Sequence, residues 1–132
     1  MFRKPKRAPC TLLFLLVFFA GCKSLNPLCG SARPKPLLTS LAPNPVAFSE
    51  IQQGLLLTVT GAKFYSNSVI VWNGAILPTT AISGTVLQAT ITTAQIAAPG
   101  TAQVAVHTPP NLSGDLGCDS GGDSPQLTFT VT

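Results

Sequence analysis

The chain has 132 residues and a formal charge of +4. Arg3, Lys4, Lys6 and Arg7, ahead of the first apolar run, account for all of it: from Cys22 onward, Lys23, Arg33, Lys35 and Lys63 are balanced by Glu50, Asp115, Asp119 and Asp123. A near-neutral chain with no basic stripe lacks the electrostatic footprint that phosphate backbones require, which excludes nucleic-acid binding.

The basic opening MFRKPKRAPC runs into TLLFLLVFFA, an apolar stretch of about ten residues. A bilayer core takes roughly twenty apolar residues in a helix, so this run is too short to span. A basic head, a short apolar middle and small residues at the end form the pattern of a secretory signal peptide. FFAGCKS, residues 18–24, resembles the bacterial lipobox, with Ala20 and Gly21 as the small pair and Phe19 where leucine is usual. The resemblance implies that residues 1–21 are removed and that Cys22 is acylated, anchoring the chain in the membrane of a bacterial envelope. An ordinary signal peptide cut nearby, with Cys22 incidental, is the plainer alternative. Lys23 stands where an aspartate commonly signals inner-membrane retention, which favours the outer membrane, with the domain in the periplasm or facing the surface.

KSLNPLCGSARPKP is rich in Pro, Gly, Ser and Lys and predicts a flexible tether over residues 22–37. From there the composition turns to Val, Ile, Leu, Thr and Ala, and about 95 residues suffice to bury a core. The apolar period is two. Leu55, Leu57 and Val59 share one face of LLLTVTG; Leu87, Ala89 and Ile91 share one of VLQATIT. Ala102, Val104 and Val106 alternate with Gln103, Ala105 and His107, and Leu127, Phe129 and Val131 alternate with threonines. This is the signature of strands with one buried and one wet face. In VIVWNGAIL, Asn73-Gly74 predicts a type I′ hairpin turn that puts Ile70 and Trp72 on one face. Only TTAQIAA could pass for helix, and it is long enough for about a turn. Six or seven such strands predict an all-β sandwich of two antiparallel sheets.

SLAPNPV, LTVTGAKF, SVIVWNG, the run from Thr79 to Ala89, APGTAQVAV and LTFTV, in that order over residues 38–132, resemble an IPT/TIG domain. The resemblance implies an immunoglobulin-like sandwich of about seven strands, from a family common in secreted and cell-surface proteins as spacers or binding units. It also implies that Gly61 and Phe64 lie at a strand-end turn and Trp72 in the following sheet. The sequence departs from the family between His107 and Leu127.

That departure, residues 108–126, is longer than connections in compact domains usually are. It reads either as a solvated insertion or as a recognition loop with Asn111, Asp115, Asp119 and Asp123 as candidate binding residues. The spacing of the three aspartates does not match an EF-hand, and no metal site is expected. Cys10 leaves with the signal peptide and Cys22 is taken by lipid, so Cys29 and Cys118 remain in an oxidising compartment. In an immunoglobulin-like sandwich the first strand begins at the end where the last two strands are joined, which predicts a Cys29–Cys118 disulfide. Two unpaired thiols, or pairing between chains, are the alternatives.

Chemistry is sparse. His107 is the only histidine and falls on the wet face of its strand; Glu50 precedes an expected turn. No nucleophile–base set, zinc spacing or phosphate-binding glycine loop is present in the sequence, so neither catalysis nor a cofactor is expected. Asn111-Leu112-Ser113 matches a glycosylation sequon, which carries little weight in a bacterial chain. Phe64, Tyr65 and Trp72 are the main aromatic group; with Phe64 and Trp72 assigned to the core, Tyr65 alone would face a sugar. The expected role is a non-catalytic, lipid-anchored envelope module that binds an envelope or extracellular protein or mediates adhesion, with surface carbohydrate binding as the alternative.

Overall fold

Alternation of large apolar side chains with threonines makes each strand two-faced, and two sheets bury their apolar faces against each other. The computed structural model describes residues 33–110 and 121–132. In chain order the elements are β1 (Leu37–Ala42), α1 (Phe48–Gln53), β2 (Leu55–Ala62), β3 (Val69–Trp72), β4 (Ala75–Ile76), β5 (Thr80–Ser83), β6 (Val86–Ile91), β7 (Gly100–Thr108), β8 (Gly122–Asp123) and β9 (Leu127–Val131). One sheet has the order β1-β2-β6-β5; the other runs β4-β3-β7, with β8 and β9 both paired to β7. Without the two-residue strands β4 and β8, seven strands remain in the sheet arrangement of a constant-type immunoglobulin sandwich. The all-β sandwich expected from the sequence is the fold observed.

Register follows the predicted faces. Leu57 and Val59 of β2 pair with Ala89 and Leu87 of β6, and Ile70 and Trp72 of β3 pair with Val106 and Val104 of β7. All eight are buried, together with Phe129, whose ring centroid is 5.3 Å from that of Trp72 at an interplanar angle of 58°. Trp72 Nε1 donates to Gln95 O at 3.2 Å, so the indole is buried with its polar end satisfied. Asn73 and Gly74 have φ of 46° and 85°, as the hairpin turn requires. The Asn73 side chain also accepts from Gln103 N at 2.8 Å, tying the turn to β7.

One local assignment changes. Glu50 lies within α1, not ahead of a turn. FSEIQQ shows no helical apolar stripe because the helix is six residues long and Ile51 is its buried residue. TTAQIAA makes the single turn its length allows: Gln95 and Ile96 N–H groups bond Thr92 O at 3.0 and 3.3 Å, and the chain then runs on to β7. Among the described residues no helix is long and apolar enough to cross a membrane.

One end of the sandwich depends on a close backbone approach. Leu37 pairs with Ala62 and Leu38 with Gly61, where a Cβ on Gly61 would sit 1.9 Å from Leu37 O and 2.6 Å from the Phe64 ring. Gly84, in the turn facing Phe64, has room: its nearest neighbour would be 3.6 Å away. Gly61→Ala is therefore expected to cost about 2–3 kcal/mol by strain, and Gly84→Ala less than about 1 kcal/mol. Urea unfolding of the two variants measures the difference.

Candidate binding surface

The outward face of the β4-β3-β7 sheet is less polar than the alternation alone suggests. Val71 of β3 lies between Ile76 of β4 and Ala105 of β7, being paired with both. The two-residue Asn73-Gly74 turn fixes the first pairing, since it sets Trp72 opposite Ala75 and Val71 opposite Ile76. Ile76 is 66% exposed, while Ala105, expected on the wet face, is buried. Its single methyl is too short to reach past its neighbours. Val71, Ile76 and Ala105, with His107, Asp123, Ser124 and Gln126, line a shallow groove of about 360 Å³.

The polar end of the groove comes from the segment that the sequence marked as a long loop. Gly122–Asp123 forms β8 against the end of β7, with His107 opposite Asp123 and Thr108 opposite Gly122. His107 Nδ1 and Asp123 Oδ1 are 2.7 Å apart, with side chains 34% and 71% exposed. A carboxylate only accepts, so the imidazole donates from Nδ1 and its neutral form carries its lone pair at Nε2. Two residues that the sequence treated separately, a surface histidine and a loop aspartate, thus form one pair.

Ser124 holds this arrangement to the sheet. Its N–H donates to Val106 O at 2.8 Å and its Oγ accepts from Val106 N at 2.9 Å, replacing a strand partner with one residue. The hydroxyl proton goes to Pro125 O at 2.8 Å. With its proton given to a carbonyl, Ser124 is not presented to His107 as a nucleophile would be. The arrangement offers an apolar floor, a hydrogen-bonding pair at one end and no activated nucleophile. Next to His107 in sequence, the Thr108 hydroxyl meets that of Ser68 at 2.7 Å in a buried contact.

Of the residues singled out by sequence, Asp123 and His107 come together here. Trp72 and Phe64 are buried, 3% and 5% exposed, as expected. Tyr65 is half-buried, and the Arg33 guanidinium lies 4.6 Å from its ring centre, covering one face. Cys22, Cys29, Asn111, Asp115, Cys118 and Asp119 lie outside the described residues. The sequence reading missed Val71, Ile76, Ser124 and Gln126. The hairpin contained the signal for the first two, since placing Ile70 and Trp72 inward forces Val71 outward, opposite Ile76. Comparison of the sequence with protein-family models and with curated proteins finds no match.

Geometry separates the two polar contacts energetically. Ser124→Ala strips a buried N–H of its acceptor and is expected to cost about 1–3 kcal/mol. The exposed His107–Asp123 pair should show a coupling of at most about 1 kcal/mol in a double-mutant cycle with His107→Ala and Asp123→Ala. Denaturant unfolding reads both.

Proposed function

We propose that this chain is a non-catalytic, lipid-anchored module of the bacterial cell envelope, with an IPT/TIG-type domain that binds a protein partner through the groove on its outer sheet. The groove carries this reading: an exposed Ile76 beside Val71 and Ala105, bounded by the His107–Asp123 pair, suits a partner with an apolar anchor and backbone amides. The fold supports the family resemblance. SLAPNPV covers β1 and its exit, LTVTGAKF lies on β2, SVIVWNG on β3 and its turn, TAQVAV on β7 and LTFTV on β9. Of the three aromatic residues that could have formed a platform for a sugar ring, Trp72 and Phe64 are buried and Arg33 covers one face of Tyr65. The protein reading is therefore preferred.

The Cys29–Cys118 disulfide belongs to the same proposal. Gly121 N donates to Arg33 O at 2.7 Å, and the Arg33 guanidinium donates to Pro109 O at 3.3 Å. The N-terminal segment thus enters beside both ends of the connection that carries Cys118. Cys29 is four residues from Arg33 (33 − 29) and Cys118 three from Gly121 (121 − 118), so short stretches of chain suffice to join them. The bond would close a loop of 89 residues (118 − 29), worth up to about 4 kcal/mol in the chain-entropy picture. Non-reducing peptide mapping of the exported protein should show one Cys29–Cys118 cross-linked peptide; two free thiols would refute the pairing.

Two measurements test anchor and partner separately. Cys22→Ala should abolish incorporation of labelled fatty acid, and equal labelling of the variant would remove the anchor. In-cell cross-linking from position 76 should give a discrete partner adduct that Val71→Asp abolishes and Leu56→Asp, on the opposite sheet, leaves intact. An adduct lost equally in both variants would place binding elsewhere.

A further inference from the structure

Asn73 and Gly74 form a reactive pair as well as a turn. A backbone nitrogen that follows asparagine attacks the side-chain amide carbon once it has lost its proton and nothing shields it. Among the described asparagines, Asn44 is followed by Pro45, which has no N–H to give up. Asn67 is followed by Ser68, whose N–H is engaged with Tyr65 O at 2.9 Å. Gly74 differs from both: a Cβ placed on it would meet nothing within 4 Å, and both turn residues are exposed. Its nitrogen is open for attack on Asn73 Cγ.

The folded turn holds the two atoms apart. Asn73 grips one residue of β7 twice: its N–H donates to Gln103 O at 2.8 Å, and its Oδ1 accepts from Gln103 N at 2.8 Å. Its φ of 46° is left-handed. In that conformation the Cβ of an L residue is crowded against its own carbonyl oxygen, on the side of the carbonyl carbon away from the next nitrogen. Ring closure needs the reverse, with Cβ eclipsing Gly74 N about the Asn73 Cα–C bond. The bond from Gln103 N must therefore break, and the backbone must leave the left-handed region, before Cγ and Gly74 N meet. Both steps require the turn to leave β7.

We infer that Asn73 is a site of spontaneous covalent modification, deamidation, and that its hold on β7 is the gate. In the opened turn Gly74 N loses its proton to solvent and bonds to Asn73 Cγ. The Cγ–Nδ2 bond breaks, and ammonia leaves with a proton taken from solvent. Water then adds to one of the two carbonyls of the resulting five-membered imide, and the bond from that carbon to Gly74 N breaks. Cleavage at Cγ leaves aspartate; cleavage at the Asn73 carbonyl carbon leaves isoaspartate, with the chain running through Cβ and Cγ. The balance is one water consumed and one ammonia released, with no redox change. Aspartate keeps an acceptor for Gln103 N. Isoaspartate lengthens by one backbone atom a two-residue turn that sets Trp72 opposite Ala75 and Val71 opposite Ile76. Gly74 also lines the groove with Val71 and Ile76, so either product adds a negative charge at its rim. The change accumulates with age and alters the hairpin that builds the groove.

The test incubates the full-length gene product, as cells process it, folded in buffer and unfolded in concentrated urea at the same pH and temperature. Peptide mapping by mass spectrometry follows the change of amide to acid at residue 73, and elution at equal mass separates isoaspartate from aspartate. Conversion at Asn73 is expected to run at least about tenfold more slowly in the folded protein, because only molecules with the turn open react. Ala75→Pro removes an N–H from the residue paired with Trp72, in the two-residue edge strand β4, and should narrow that ratio. Ile76→Gly, which loosens the same pairing and leaves the turn sequence intact, should narrow it in part. Each variant is compared with its own rate in urea, so a change in intrinsic reactivity cancels. Equal folded and unfolded rates in the wild type overturn the gate, as does a ratio that both variants leave unchanged. No conversion in urea overturns the site itself.

Discussion

The two-residue period of β7 is the constraint on which the rest of the molecule hangs. Ala102, Val104 and Val106 enter the core, where Val104 and Val106 pair with Trp72 and Ile70, and Ala102 pairs with Phe129. Ala105 and His107, between them, make the floor and polar end of the groove. A slip of one residue would exchange the two sets, putting an imidazole in the core and valines in water. Core and candidate site are thus two faces of one strand, and their positions cannot vary independently. The Asn73 side chain, bonded to Gln103 N, fixes that register from the neighbouring hairpin.

The sandwich treats its two flanks differently. On one, the chain leaves β1 through Pro43 and Pro45, which lack the N–H needed to continue a ladder, and crosses to the other sheet. There Asn44 bonds Thr128 O and Thr130 N, and Val46 bonds Thr130 O and Thr132 N. The β9 edge is thereby covered by the protein's own backbone, a common way of blunting a sheet edge. On the other flank, β4 and β5 end their sheets. Their shortness limits how much ladder they offer a neighbouring strand.

Polar groups do structural work where the topology would otherwise leave donors unmet. Ser124 satisfies both the N–H and the carbonyl of Val106, which lets a non-repetitive segment lie along a central strand. Ser68 and Thr108 satisfy each other in the interior, and no buried side-chain polar atom among the described residues lacks a partner. The contacts of Arg33 with Tyr65, Asn67, Pro109 and Gly121 fasten the incoming chain to one pole. That attachment gives the domain a direction, with the N-terminal segment at one end and α1 and the C-terminus at the other.

By itself, the sequence determined the sheet-forming segments, their inward faces and the hairpin at Asn73-Gly74. These depend on alternation and on positive φ, which are local properties of neighbouring residues. It missed α1, because six residues with one buried side chain leave no periodic trace, and it read residues 121–126 as loop, because Ser124 pairs with Val106 through a long-range contact. Half of the candidate site was legible in the same way: Val71 and Ile76 follow from the hairpin, whereas His107 and Asp123 are sixteen residues apart in sequence. Only the fold could bring that pair together, crowd Ala105 out of solvent and tie Asn73 to Gln103. Each of those outcomes depends on which strands are neighbours, and that is decided by burying all the apolar faces at once, not by any one stretch of chain.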